Sequence, residues 1–465
     1  MCLITIGSKA VQCEKGSNLY TVLINSGAVI NAPCGGKGTC GKCEVFVECV
    51  GTVTSCNFTV ENDISVTIPE ASKSKIKSAG LLRAVQSDND SPEIAVDIGT
   101  TTVVAYLIIA GKIIDTESAL NSQKPYGDDV ITRIKYTMEN QDGTERLSKI
   151  ITNQIKEMTD RLSERNGITP RTIVIVGNTV MLHLYANISP VSIGVSPFTP
   201  VFTDIKEIDT TVLMPSISGY VGADTVAAVL ASGMHLSDEI CLLIDIGTNG
   251  EIALGNKDGI LTCAAAAGPA FEGAQISCGA GGVSGAVNSV KINNGAITYT
   301  TIDDKPPVGI CGSGILEVTA EMLREGIIDE TGYFEDEELI IADNVTITDG
   351  DIRQVQLAKA AIAAGVNTLL RTRGISVDDV ARCYLAGGFG SYMNTQSACD
   401  IGLIPSGLSN RITSLGNAAG MGAVLWQISG ECKAETQKIT ELMTYLELSE
   451  SAVFNEEFVN CMCFE

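Results

Sequence analysis

Cys34, Cys40 and Cys43 fall within ten residues, in the run "APCGGKGTCGKC" (32–43), interleaved with four glycines. Thiols at C-x5-C-x2-C spacing converge readily on one centre, and their thiolates bind zinc or iron–sulfur clusters. A second chemistry-bearing pattern is written twice. Asp-Ile-Gly-Thr stands at 97–100 and again at 245–248, with Asp97 and Asp245 148 positions apart. Each copy is an apolar strand, a tight turn and a second strand. A Gly and a Thr at such a tip cradle phosphate with backbone N–H and hydroxyl groups, and the Asp at the strand end holds Mg2+, usually through water. One copy is weak evidence, because many hairpins contain such a turn. Two copies at half-domain spacing indicate duplicated lobes facing across a cleft.

The thiol run favours a 2Fe–2S cluster. Zinc sites more often use two matched C-x2-C pairs. Plant-type 2Fe–2S sites use C-x4-C-x2-C on one loop plus a distant fourth Cys. Here the loop is one residue longer, as in the vertebrate-type relatives of those ferredoxins. Gly35, Gly36, Gly38 and Gly41 permit positive φ and close backbone approach to the sulfides. Cys56, thirteen residues after Cys43, is the expected fourth ligand. Cys49 competes but is expected within the strand that follows the loop. Zinc or another cluster is the alternative occupant. Cys2, Cys13, Cys461 and Cys463 are read as spare thiols. The two histidines, His183 and His235, are read as structural, so neither a His-based triad nor a multi-His metal site is expected.

The elements that must position these groups are legible. "LITIGSKAVQC" predicts a hairpin, "SNLYTVLINSGAVI" a helix opened by Ser17, and "CEVFVECV" and "DISVTIP" two strands. Together they give the β-grasp order of an abbreviated ferredoxin-like domain over 1–70. Residues 71–92, rich in Ser, Lys, Asp and Asn, predict a tether. Beyond it, 93–465 alternates strands and helices, the pattern of an α/β fold, with one lobe over about 93–238 and a second over about 239–465. No separate middle domain is expected between tether and lobes. "IVIVGNTVMLHLY" reads as strand, turn, helix, "CYLAGGFGSYM" as a strand into a Gly-rich turn, and "ITSLGNAAGMGAVL" as a strand, G-N-A-A-G and a small-residue helix. Residues 128–166 carry a helical period that places Leu147, Ile150, Ile151, Ile155, Met158 and Leu162 on one face, with Gln154 at its margin. "DIRQVQLAKAAIAAGVNTLLRTRG" predicts a helix capped by Gly374.

The composition excludes several classes. A net charge of −24 makes nucleic acid or an anionic membrane a poor partner. Residues 1–75 hold six Lys against six Asp or Glu, so the excess lies beyond them, which supports a separate first domain. No apolar run approaches the ~20 residues of a membrane span. The start lacks a basic segment followed by an apolar core. Sixteen Cys without an export signal predict reduced thiols in a cytoplasmic protein.

The large domain resembles the superfamily of sugar and acetate kinases, actin and heat-shock chaperone ATPases. The whole chain resembles the ATP-dependent reductive activators of corrinoid proteins, through "NAPCGGKGTCGKC", "AVDIGTTTV", "VGNTVMLHL", "GYVGADTVAA", "LLIDIGTNGEI", "GPAFEGAQI", "GICGSGILE" and "LAGGFG". The resemblance implies a 2Fe–2S cluster on Cys34, Cys40, Cys43 and Cys56. It implies Mg2+ and an attacking water positioned by Asp97 and Asp245. It places ATP phosphates along Gly99, Thr100, Thr101, Gly247, Thr248 and Asn249, with the nucleotide turn at Gly387, Gly388 and Phe389. Gly177 with Asn178, and Gly416 with Asn417, match the elements that connect the lobes. Glu251 is read both as an assistant in proton removal and as a buried structural carboxylate. The implied reaction returns inactive Co(II) corrinoid to Co(I), a step unfavourable from ordinary ferredoxin donors at about −400 mV, so ATP adds free energy. The implied partners are a corrinoid protein of a methyltransferase system, an electron donor such as a reduced ferredoxin or flavodoxin, and a second copy in a homodimer. The competing readings are an activator of a 2-hydroxyacyl-CoA dehydratase, a redox-sensing nucleotide switch and a small-molecule kinase.

Overall fold

The computed structural model describes residues 1–7, 9–28, 30, 32, 36, 38, 42–68, 80–390 and 393–464. Cys34, Cys40, Gly35 and Gly41 lie outside the described residues. The first domain is a five-stranded sheet in the order Lys9–Cys13, Cys2–Ile6, Ile64–Thr67, Glu44–Val47, Gly51–Thr54. Its central pair, Cys2–Ile6 and Ile64–Thr67, is parallel and the other pairs are antiparallel. Helix Leu19–Asn25 closes one face with Leu19, Tyr20, Leu23 and Ile24, which recur at helical spacing. This is the expected β-grasp arrangement. The helix is capped by Asn18, whose side chain accepts from the Thr21 N–H, rather than by Ser17, which sits in a short strand paired with Val60.

Both lobes grow from one pattern. In the first, Lys112–Leu120, Thr102–Ile109 and Glu93–Ile98 form an antiparallel meander, and Ile173–Gly177 joins Glu93–Ile98 in parallel. In the second, Gly259–Ala265, Gly250–Asn256 and Ile240–Ile246 repeat the meander, and Val380–Ala386 joins Ile240–Ile246 in parallel. The order third, second, first, fourth is thus common to both sheets. The first strand of each ends at its Asp-Ile-Gly-Thr turn. The predicted 128–166 period resolves into two helices, Val130–Glu139 and Gly143–Asn166. Leu147, Ile151, Gln154, Ile155, Met158 and Leu162 are buried on the second. Gln154 is satisfied there, donating to the Leu120 carbonyl at 2.7 Å and accepting from the Ser122 N–H at 2.8 Å. Helix Asp349–Arg373 ends at Gly374 in the left-handed conformation, as the sequence predicts.

Two helices join the lobes, and small residues let them approach. Ala223–Ser232 leads from the first lobe into the second, and Ala418–Ile428 follows the second sheet's edge strand Ile412–Gly416 but buries its apolar residues in the first lobe's core. A Cβ at Gly422 would lie 2.0 Å from the Ala227 carbonyl oxygen, and one at Gly420 would lie 2.7 Å from the Tyr106 ring. Helix Ala223–Ser232, rather than the 177–182 segment, is therefore what Ala418–Ile428 crosses. Helix Thr179–Tyr185 stays within the first lobe's core.

Residues 80–92 carry no helix or strand, but they are held. The Leu81 N–H donates to the Leu415 carbonyl at 2.9 Å, and the Asp88 carboxylate accepts from the Gly430 N–H at 2.7 Å. Arg83 pairs with Glu435, which also meets His235 Nε2 at 3.2 Å. Leu82 and Val85 pack on the first lobe's core. The tether read over 71–92 is fixed in its second half, because its polar residues find partners hundreds of positions away. Residues 71–79 lie outside the described residues. Among the described residues, no helix is long and apolar enough to cross a membrane.

The helix crossing yields a stability prediction. Gly422→Ala forces a methyl into the Ala227 carbonyl and should cost about 1–3 kcal/mol. Gly350→Ala, exposed in the first turn of Asp349–Arg373 with its nearest foreign atom 3.6 Å away, should be neutral or stabilise by less than ~1 kcal/mol. Denaturant midpoints of the two variants check this. A Gly422→Ala midpoint equal to wild type would show that the helices are not held at this separation.

Candidate functional site

The two hairpin tips are built alike. The Gly99 N–H donates to the Thr102 carbonyl at 2.8 Å, and the Gly247 N–H donates to the Asn249 carbonyl at 3.0 Å. A Cβ at Gly99 would lie 2.7 Å from the Thr102 oxygen, so this turn requires glycine. Thr100 is fixed from behind. Asn178, the N-cap residue of helix Thr179–Tyr185, donates from Nδ2 to Thr100 Oγ1 at 3.1 Å, and the buried Arg133 donates to the Thr100 carbonyl. Gly177 gives Asn178 its place, because a Cβ there would lie 2.7 Å from the Ile98 oxygen.

Five carboxyl groups line the cleft between the tips, and four of them form one cluster. Asp97 accepts from Asn417 Nδ2 at 2.9 Å. Asp245 lies against Gly387, where a Cβ would be 2.5 Å from Asp245 Oδ1. Gly387 also has φ near 87°, so it is required twice over. Glu251 faces Asp245 across the second hairpin's register. The fourth group, Asp224, opens helix Ala223–Ser232 and accepts from the Thr225 N–H at 2.8 Å. Desolvation and then mutual repulsion push these groups upward. Asp97 rises to about 7 through desolvation and the Asp224 charge, and Asp245 to about 7 through desolvation, Asp224 and Asp97. Asp224 rises to about 6 by desolvation, and Glu251 stands well above its usual range by desolvation and the charges of Asp224 and Asp245.

The remaining predicted residues surround this cleft. Strand Val380–Ala386 feeds a single helical turn, Gly387–Gly390. Gly388 is open, with no foreign atom within 4 Å of a Cβ, and the Phe389 ring stacks on Phe271 at 5.0 Å. Asn417 is the N-cap of Ala418–Ile428 and ties that helix to Asp97 and to the Tyr106 hydroxyl at 3.0 Å. Gly416, at φ near 71°, is bridged by Gly80 of the held linker. The sequence reading passed over two groups, Asp224 and Glu272. Both stand inside quoted motifs, "GYVGADTVAA" and "GPAFEGAQI". Glu272 accepts from Thr101 Oγ1 at 3.0 Å and from Thr248 Oγ1 at 3.2 Å, and so links the two tips. Among the described residues, no three carboxylates, thiols or imidazoles close on one metal position.

Of the four predicted cluster cysteines, Cys43 and Cys56 are described. Cys43 immediately precedes strand Glu44–Val47, and Cys56 follows strand Gly51–Thr54, so both stand at the open end of one hairpin. Their sulfurs are 3.1 Å apart, and the Cys56 N–H points at Cys43 Sγ at 3.4 Å. That separation exceeds a disulfide bond of about 2.05 Å. Two converging thiols with an N–H aimed at one sulfur suit a shared metal centre. Cys49 is not in a strand. It is exposed in the turn at the closed end of the same hairpin, with φ near 67°. A four-residue strand separates it from Cys43, about 13 Å. Gly36 and Gly38 adopt φ near 79°, as a wrapped thiol loop requires. Cys2 and Cys13 belong to the first domain's core. His183 is held between the Thr179 carbonyl at 2.7 Å and the Val201 N–H at 3.0 Å, so both histidines are structural.

A β-grasp domain in which Cys43 and Cys56 converge and a two-lobed, actin-like domain with a duplicated Asp-Ile-Gly-Thr cleft define a thiol domain joined to an ATPase fold. Comparison with known proteins is specific. Residues 93–237 match the family description "RACo middle region", and residues 239–465 match "C-terminal domain of RACo the ASKHA domain". The region called middle is thus the first lobe itself. The corrinoid activation enzyme RamQ of Eubacterium limosum is 35% identical, over 79% of this chain and 69% of that protein. The Co(II) methylated amine-specific corrinoid protein reductase of Methanosarcina barkeri is 30% identical, over 45% of this chain and 42% of that protein. A solved reductive activator for corrinoid, iron-sulfur protein superposes with a TM-score of 0.73 at 30% identity, over 100% of this chain and 98% of that one. The chain belongs to the family of reductive activators of corrinoid proteins.

The crowded carboxyls predict an inverse link between site and stability. Asp245 has a folded pKa of about 7 against an ordinary 3.8. Between those values the folded protein binds more protons than the unfolded chain, so this group's contribution falls as pH rises from about 4 to 7. Asp245→Asn removes that penalty. It should stabilise the ligand-free protein at pH 8 by on the order of 1–2 kcal/mol, less than the full shift because the cleft admits water. The gain should vanish near pH 4. Melting curves across this range check it. A gain that is equal at both ends would refute the charge argument.

Proposed function

We propose that this chain reduces the Co(II) form of a corrinoid protein to Co(I), using ATP hydrolysis in its two-lobed domain and a 2Fe–2S cluster in its first domain. The observation that carries the reading is the pairing, in one chain of this family, of converging thiols with the doubled phosphate cleft. The boundaries that fit are 1–70 for the thiol domain, 71–92 for the linker and 93–465 for the ATPase.

Cys34, Cys40, Cys43 and Cys56 hold the cluster, which supplies one electron at a time. The hairpin supports Cys56 over Cys49, since only the former reaches the end where Cys43 stands. Asp97 and Asp245 hold Mg2+ through water, as a cation that keeps its waters and leans on substrate phosphates needs few direct protein ligands. Thr100, Thr101, Thr248 and Asn249 take the ATP phosphates on turns shaped by Gly99 and Gly247. Gly387, Gly388 and Phe389 offer an open, flat edge for the base. Gly177 and Asn178 hold Thr100, and Gly416 and Asn417 hold Asp97. A carboxylate poised near neutrality can take the proton of the attacking water. Asp97 and Asp245 stand in that range, whereas Glu251, beside Asp245 in the hairpin register, is held well above its usual range by desolvation and its acidic neighbours. ATP and water give ADP and phosphate, the partner's Co(II) takes one electron, and a reduced ferredoxin or flavodoxin replaces it. The partner belongs to a methyltransferase system, the setting is the cytoplasm, and the working assembly is a homodimer.

The anaerobically isolated chain should be brown and hold two iron and two sulfide ions per chain, the content of one 2Fe–2S cluster. Cys34→Ser, Cys40→Ser, Cys43→Ser and Cys56→Ser should each lose most of the iron, and Cys49→Ser should keep it. The reduced chain mixed with a Co(II) corrinoid protein should form Co(I) with Mg·ATP and not without it. Stoichiometric zinc and no visible chromophore would end the redox reading. Co(I) formation at the same rate without ATP would end the coupling.

A further inference from the structure

Glu272 stands between the phosphate tips, and the loop it begins runs to the thiol domain. Lys42 lies between Cys40 and Cys43. Its ammonium donates to the carbonyls of Gly273 at 3.2 Å, Gly279 at 3.2 Å and Ile276 at 3.5 Å. That loop is one tight unit. A Cβ on Gly273 would lie 2.2 Å from the Ala280 oxygen, and one on Gly279 would lie 2.0 Å from the Gly273 oxygen. A backbone shift at Glu272 therefore carries the carbonyls that hold Lys42. A second contact secures the same docking. The Tyr20 hydroxyl of the first domain donates to the Pro125 carbonyl at 3.0 Å, and Tyr126 packs on the first domain's core.

We propose that Glu272 and Lys42 form a latch through which nucleotide releases the thiol domain from the ATPase. The inference rests on the ATP reading above. The Glu272 carboxylate takes the hydroxyls of Thr101 and Thr248. These are the hydroxyls a terminal phosphate would need. An incoming phosphate competes for the same donors and repels the carboxylate by like charge. Glu272 leaves, the 273–279 loop moves with it, and Lys42 loses its carbonyl acceptors. The docked state holds Lys42, next to Cys43, against the ATPase domain, and the released state frees that edge of the first domain for a partner. The same geometry reverses by thermodynamic necessity. If nucleotide weakens docking, docking weakens nucleotide binding by the same factor.

That reciprocity makes the test sharp, because Lys42 lies on a different domain from the cleft. The full chain, isolated anaerobically with its chromophore, is titrated with a non-hydrolysable ATP analogue and Mg2+ by calorimetry. Hydrogen exchange is followed over 42–47 and 271–281. In wild type, saturating analogue should speed exchange in both segments. Lys42→Met should bind the analogue on the order of fivefold more tightly and show fast exchange at 43–47 without it. Lys42→Arg keeps the donors and should behave as wild type. Glu272→Gln keeps an acceptor but removes the charge, so it should bind the analogue more tightly and lose most of the nucleotide-driven change at 42–47. Unchanged visible spectra confirm that the variants retain the folded loop. Normal analogue binding in wild type with unchanged exchange at 42–47, or wild-type affinity in Lys42→Met, overturns the latch alone. No analogue binding by wild type overturns the ATP reading and the latch with it.

Discussion

Asp97, Asp224, Asp245 and Glu251 repel one another across a single cleft, and the surrounding structure exists to keep them there. Carboxyls this close would drift apart if the backbone let them, and held together they take up protons more readily. Here the backbone holds them. Asp97 and Asp245 end the first strands of two sheets that share the order of four strands. Asp224 opens one of the helices that join those sheets, and Asn417, at the head of the other, fixes Asp97. The approach of those helices depends on Gly420 and Gly422, where any side chain would strike Tyr106 or the Ala227 carbonyl. Removing side chains at the crossing is thus what places charge at the cleft. A cation held among these carboxyls would relieve their repulsion.

The first domain is tied to this cleft more closely than a tethered carrier requires. Residues 80–92 are pinned by Arg83 and Asp88, and Leu82 and Val85 pack on the first lobe's core. The thiol loop meets the ATPase through Lys42, on the loop that begins at Glu272. The thiol domain and the aspartate cleft are neighbours through a few hydrogen bonds, and coupling between them needs no long path.

The sequence made the first-strand aspartates, the doubled hairpins and the thiol loop legible because each is local. Asp-Ile-Gly-Thr declares its own turn, and C-x5-C-x2-C declares its own convergence. Helix Asp349–Arg373 was equally legible, since its period and its Gly374 cap lie on one element. What stayed hidden depends on distant pairing. Glu272 meets Thr101 across 171 positions and Arg83 meets Glu435 across 352, and no local pattern signals either. The polar linker looked unattached for the same reason. Cys49 was placed in a strand because "CEVFVECV" alternates, whereas the strand stops at Val47 and Cys49 turns in the left-handed conformation. The hairpin register, which sequence does not fix there, decides which cysteine stands beside Cys43.

The central claim is that ATP chemistry in the cleft drives an electron held on the other domain, and Asp245→Ala separates the two most directly. Asp245 touches the cleft and no part of the thiol domain among the described residues. The measurement is anaerobic spectroscopy of a Co(II) corrinoid protein mixed with the reduced variant and Mg·ATP, beside a redox titration of the variant's own chromophore. The account predicts an unchanged chromophore spectrum and potential, no ATP hydrolysis and no Co(I). Co(I) formed repeatedly at the wild-type rate by Asp245→Ala would contradict it.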